Sequence, residues 1–319
     1  MIARSNLFKK QHIAIAVSAG LFVLAGNAQA LTLNADAAVT LPGSATVTVE
    51  DLNQSTAANA YLYESDAATG NNGRAAGKGR DDGWMYSFAG GSGAFDAQGH
   101  IQQVIDFTNT TGVAQQYTYD FTINFGYIEA TYDGIFGAGE FVEAGNNISI
   151  TLDGIDKFTS GATITNNGSG ISLVKSGTAL STAGASGGFY SWDTYIGSID
   201  LGVFDAGESF QLEYDITTFA SSNISGQVCD FRDEEIDFRF TEAEFGDGLE
   251  VLESCVTNYA YSHFGDPNFI AGIPQSPAGL GGVITAQPAA TVPVPGTLLL
   301  LGGGVFGLLL ARRQQRNSN

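Results

Sequence analysis

The sequence predicts an all-β body, an antiparallel β-sandwich, held between two short end segments of different chemistry. Three observations carry this expectation. Apolar and polar residues alternate with a period of two through several runs, the pattern of strands with one buried and one wet face. Turn signals rich in Gly, Asn and Asp separate the runs, and no stretch outside the two ends sustains a helical period. Residues 1–30 and 297–319 contain no Asp or Glu and carry three basic residues each, whereas all 33 acids and both cysteines lie between them.

The first segment, 1–30, has the layout of a secretory signal. Arg4, Lys9 and Lys10 precede an apolar stretch, Ile13–Ala25. As a helix this stretch reaches roughly 20 Å, short of a hydrocarbon layer of about 30 Å. Ala28-Gln29-Ala30 supplies a small-x-small cleavage pattern, so the exported chain is expected to begin at Leu31.

The body, 31–271, follows. Tyr117, Tyr119, Phe121, Ile123 and Phe125 alternate with polar residues, as do Phe210, Leu212, Tyr214 and Ile216. Ile148, Ile150 and Leu152 make a third run, and Ile236, Phe238 and Phe240 a fourth. Aromatic and β-branched residues favour strands, and two sheets of this kind bury their apolar faces against each other. Turns are expected at Asn109-Thr110-Thr111-Gly112, Asn166-Asn167-Gly168 and Asp205-Ala206-Gly207. The run Asp106–Gly112 ahead of one strand and Leu201–Ser209 ahead of another resemble turn motifs of bacterial immunoglobulin-like sandwiches. A sandwich of immunoglobulin-like or jelly-roll-like form with elaborated loops is what that resemblance implies. The Gly-rich stretches 65–83 and 176–188 are expected to be loops.

Chemistry-bearing residues are sparse. Cys229 and Cys255, an even pair in an exported chain, read first as a disulfide, a cross-link that stabilises by roughly 3–4 kcal/mol when unstrained. A metal-binding or catalytic thiol is the alternative, but ten acids between them oppose thiolate formation. Those carboxylates are also a candidate Ca²⁺ site, although no D-x-[DN]-x-[DN]-G loop occurs. Gly184-Ala185-Ser186-Gly187-Gly188 fits the letters of a nucleophile elbow, which requires a strand before it and a helix after it. His100 and His263 have no second histidine at metal spacing. A pair of distant carboxylates, as in glycosidases, would leave no local trace. Trp84 and Trp192 flank glycine-rich loops, where flat rings stack on sugar faces; core filling is their commoner use. The net charge of −20 excludes nucleic acid as a partner. No cofactor is called for beyond the candidate Ca²⁺.

Residues 272–291, with Pro274, Pro277 and Pro288, read as a flexible linker to a final segment, 292–319. There Pro293-Val294-Pro295-Gly296 precedes fifteen uncharged residues from Thr297 to Ala311, and Arg312, Arg313 and Arg316 close the chain. The uncharged stretch suits a single short membrane helix of about 22 Å, and the arginines hold its end on the cytoplasmic side. Motif, apolar helix and basic cluster in that order resemble the PEP-CTERM sorting signal of Gram-negative bacteria, with Pro293-Val294-Pro295 in place of the common Pro-Glu-Pro. The resemblance implies recognition by an exosortase in the inner membrane, cleavage near Pro295 and delivery to the cell surface or matrix, in association with exopolysaccharide and biofilm. The expected role is non-enzymatic, structural or adhesive. A carbohydrate-binding module or lectin, and a polysaccharide-modifying hydrolase, are the alternatives.

Overall fold

The computed structural model describes residues 27–81, 83–224, 258–264 and 283–289. Among them the chain forms seventeen strands in three antiparallel sheets and no helix. The first sheet runs in the order β11 (Gly170–Gly177), β10 (Ile155–Asn167), β9 (Phe141–Leu152), β15 (Ser209–Asn223), β6 (Ala94–Asn109), β1 (Asn27–Thr40), β2 (Val47–Gln54). The second runs β12 (Thr182–Ser186), β13 (Phe189–Trp192), β8 (Gly126–Tyr132), β16 (Asn258–Phe264), β5 (Met85–Ser92), β4 (Asn71–Arg80), β3 (Ala57–Asp66). A third, smaller sheet is β14 (Tyr195–Phe204), β7 (Gln115–Ile123), β17 (Val283–Pro288).

The first two sheets stack in register, β2 beside β3, β1 over β3 and β4, and β15 over β5 and β16. At the other rim β11 meets β12, where Lys175 Nζ donates to Thr182 Oγ1 at 2.9 Å. The strands of the first sheet outrun the second. The third sheet covers the overhang, with Tyr117 against Phe107 and Phe210 and Phe121 against Phe158.

The alternation predicted these faces. Phe210, Leu212, Tyr214 and Ile216 are buried, as are Ile148, Ile150 and Leu152. Tyr117, Tyr119, Phe121 and Ile123 are buried too, but β7 ends at Ile123 and Phe125 lies half exposed beyond it. The expected strand at 236–240 lies outside the described residues.

All three predicted turns link consecutive strands. Two of them meet at Asn109, which is fully buried. Its Nδ2 donates to the carbonyls of Val113, Phe204 and Asp205, and its Oδ1 accepts from Thr111 N and Oγ1. Its backbone closes on the other turn through Gly207 N and Glu208 O. One side chain thus satisfies polar groups from two loops about ninety residues apart, groups that burial would otherwise leave unpaired.

The glycine-rich stretches are not simply loops. Within 65–83 lies β4, between β5 and β3, and within 176–188 lies β12. From Gly73 to Gly79 the inward positions of β4 carry glycine or alanine instead of large side chains, so the period-two signal is muted. Val283–Pro288, inside the stretch read as a linker, pairs with β7 as β17.

The reason for small residues is the seam between the two large sheets. A Cβ on Gly77 would lie 1.7 Å from His100 O, and one on Gly99 would lie 2.3 Å from the carbonyl oxygens of both Ala76 and Phe88. Neighbouring β4 positions meet side chains in the same way, Gly79 against Ile101 and Gly73 against Val39. Ser87 and Thr218 bridge the sheets by a 2.8 Å hydrogen bond.

Because the obstacle at Gly77 is backbone, Gly77→Ala should destabilise by about 1–3 kcal/mol or more. Gly168→Ala, where the nearest atom is Phe136 Cβ at 3.6 Å, should stay within about 0.5 kcal/mol. Chemical denaturation of the two variants checks the contrast.

Candidate functional site

The outer face of the second sheet concentrates aromatic and basic side chains. Residues directly opposite each other on antiparallel strands share a face, and the register lays out lateral rows. Tyr63, Arg74, Gly90, Tyr261, Glu129 and Phe189 form one row. Tyr61, Ala76, Phe88, His263 and Tyr127 form the next, and Asn59, Lys78 and Tyr86 a third.

Between rows the rings touch. The Arg74 guanidinium sits 5.4 Å from the centroids of both Phe88 and Tyr261 and donates to Tyr261 Oη at 3.2 Å, a cation held over ring faces. Gly90 makes room for this, since a Cβ there would stand 2.3 Å from the Tyr261 ring. Lys78 approaches the Tyr61 ring at 6.0 Å. His263 stacks on Tyr127 and meets Tyr86 edge-on. Burial pushes its pKa down to about 4, so the ring is neutral.

The two tryptophans part company. Trp84 is half buried and stacked on Tyr86 at 6.1 Å, on the border of this face. Trp192 is 1% exposed, packs against Tyr190 and Phe264, and donates from Nε1 to Asn124 O at 3.0 Å. Of the two uses the sequence left open for it, sugar stacking and core filling, this geometry fits core filling. Gly126 admits the ring, since a Cβ there would stand 2.2 Å from Trp192 Cζ2. Tyr61 and Tyr63, which the sequence reading passed over, are the exposed rings of β3. Their signal was present as alternation along Ala57–Asp66, with alanine and leucine inward.

The outer face of the first sheet holds a second constellation. His100 on β6 lies between Asp36 on β1, at 2.5 Å from Nδ1, and Asp215 on β15, at 2.6 Å from Nε2. Burial alone would lower the imidazole pKa. Hydrogen bonds to Asp215 and Asp36, with the charges of both, outweigh it and raise the pKa to about 10. Both ring nitrogens are occupied, so this imidazolium has no lone pair for general-base work; it ties three neighbouring strands by charge. Nothing in local spacing joins Asp36, His100 and Asp215, and only the sheet order does.

Ser186 closes the β12–β13 hairpin opposite Phe189, with Gly187 and Gly188 at positive φ in the turn. Strands lie on both sides of it, an arrangement that is not a nucleophile elbow. A cleft of about 540 Å³ opens beside Gly137–Phe141, Glu143 and Thr165. Its two carboxylates are bonded within the protein, Glu140 to Gly137 N and Glu143 to Thr165 Oγ1. Among the described residues no group of three or more His, Cys, Asp or Glu is placed to hold a metal ion. The acidic run considered for Ca²⁺, both cysteines, Pro293, Val294, Pro295, Gly296, Arg312, Arg313 and Arg316 lie outside the described residues. Ala28 and Ala30 lie in β1, whose first four residues pair with Asp106–Asn109. The expected cleavage point thus falls inside that strand.

A family model described as the PEP-CTERM protein-sorting motif matches residues 291–314. No curated protein and no solved structure matches the chain significantly. The chain therefore carries a PEP-CTERM sorting motif, which implies exosortase-dependent export and surface association in a Gram-negative bacterium.

Stability should follow the two histidines in opposite directions. His100 keeps its proton to about pH 10 in the fold but releases it near 6.5 unfolded. Its contribution is complete below about pH 6.5 and drains away as pH rises through 10. His263, held down to about 4, resists protonation in the fold, so stability falls as pH drops from about 6.5 through 4. Melting temperatures between pH 7 and 9.5 should decline in the native protein and flatten in His100→Gln.

Proposed function

We propose that the mature chain is a non-enzymatic protein of the cell surface or extracellular matrix, processed by exosortase and associated with exopolysaccharide in a biofilm. The sorting motif at residues 291–314 carries this reading. The body gives it physical support. Long paired strands under one continuous core make a stiff, broad-faced module, and the histidine best held among acids is bound up in the fold. The net charge of −20 keeps such a module soluble outside the cell.

A carbohydrate-binding role is the second reading, favoured by one observation, the rows of rings and cations on the outer face of the second sheet. Tyr61 and Tyr63 present exposed rings there, and apolar contact with sugar faces is the chemistry such rings offer. In this reading the binding face is β3, where the exposed rings stand, with the neighbouring side of β4; Tyr86 on β5 is buried.

In cells lacking exosortase, the protein should keep its C-terminal segment by mass and lose its exposure to surface labelling. Unchanged mass and labelling would remove the export reading. On a glycan array, binding that falls about tenfold in Tyr63→Ala would establish the second reading, since stacking contacts are of the order of 1 kcal/mol or more. Release of reducing sugar from exopolysaccharide by the purified protein would replace both with a hydrolase.

A further inference from the structure

We propose that copies of this protein join head to tail through opposite rims of the sandwich, the β11/β12 rim of one copy against the β2/β3 rim of the next. Both large sheets then continue from copy to copy. The inference goes beyond the surface role argued above and stands on the rims alone.

Among the described residues the rims are open edges: β11 pairs with β10 alone, and β2 with β1 alone. The outward N–H and C=O groups of such a strand are a template for another strand. All eight residues of β11 are exposed, on both faces. Ile171, Leu173 and Val174 are among them, Val174 at 64%. On the opposite rim β2 exposes Val47, Val49 and Leu52. Apolar side chains thus remain on both edges, beside charges of opposite sign on the two rims.

Charge decides which edges meet. From Lys157 to Trp192 the sequence has no Asp or Glu, in a chain that contains 33 of them, and it has two lysines. This stretch is the β11/β12 rim with the strands next to it. Lys175 lies on β11 and ties the two edges together, bonded to Thr182 and 4.2 Å from the centroid of the Tyr190 ring. The other rim is acidic, with Glu50 and Asp51 on β2, Glu64 and Asp66 on β3, and no base on either strand. Two acidic rims repel each other, and two lysine rims gain nothing; only the mixed contact is attractive. A contact between different patches of identical chains does not close by two-fold symmetry, so it propagates as an open filament or a ring.

The test uses the exported chain as the cells process it, followed by sedimentation over a range of concentrations and by electron microscopy. The expected result is a series of oligomers growing with concentration past the dimer. Val174→Asp, at an exposed position, and Lys175→Glu should each raise the concentration needed for growth about tenfold or more, with circular dichroism unchanged. Glu50→Lys should do the same from the other rim. An equal mixture of the Lys175→Glu and Glu50→Lys chains should regain growth, because each altered rim then finds its complement. A chain that stays monomeric, stops at a two-fold dimer, assembles equally well as Val174→Asp, or gains nothing in the mixture overturns the proposal.

Discussion

The approach of two backbones at Gly77 and Gly99 constrains most of the structure. Stacked sheets ordinarily lie about 10 Å apart with side chains filling the gap. Here the carbonyl oxygens of His100, Ala76 and Phe88 occupy the places where Cβ atoms would stand. The centre of the sandwich is therefore thin and lined by alanines such as Ala35, Ala37, Ala75, Ala89 and Ala97. Large side chains collect where the sheets diverge. Tyr117, Phe121, Phe204 and Phe210 pack under the third sheet, and Trp192 fills the flank near β8. A thin middle with aromatic margins lets one set of long strands serve two partner sheets.

Polar side chains hold this arrangement together at long range. Asn109 joins two turns, and Asn258 on β16 reaches Gly93 and Ser222, so that the β5–β6 turn and β15 are fixed to the second sheet. Asp36, His100 and Asp215 do the same across β1, β6 and β15. Each of these links unites residues far apart in the chain. Buried amides with every group paired specify one arrangement more sharply than apolar contact alone.

This distribution explains what the sequence made legible. Where large apolar residues alternate, as along Phe210–Ile216, the buried face could be read directly. The turn signals at Asn109, Asn166 and Asp205 each fell between strands for the same local reason. The β4 strand was hidden because its inward residues are glycine and alanine, chosen for backbone approach, and composition alone makes such a run look like a loop. Trp192 looked available because glycines surround it in sequence; in the fold Gly187 and Gly188 are turn residues, and the ring is admitted by Gly126, a glycine distant in the chain. The histidine bracket and the pairing of rims by charge were invisible because they are properties of strand order, which no local pattern encodes. The sorting motif was legible for the opposite reason, since its recognition depends on the order of short linear parts.

The last strand also bears on how the address is read. β17 ends at Pro288, and the matched motif begins at residue 291. Three residues of fully extended chain span at most about 10 Å. An enzyme that grips the motif while β17 is paired must work close to the third sheet. Either its mouth accommodates a folded cargo at close quarters, or the six-residue strand peels from β7 to lengthen the tether. Processing and the anchoring of that one strand are then mechanically linked.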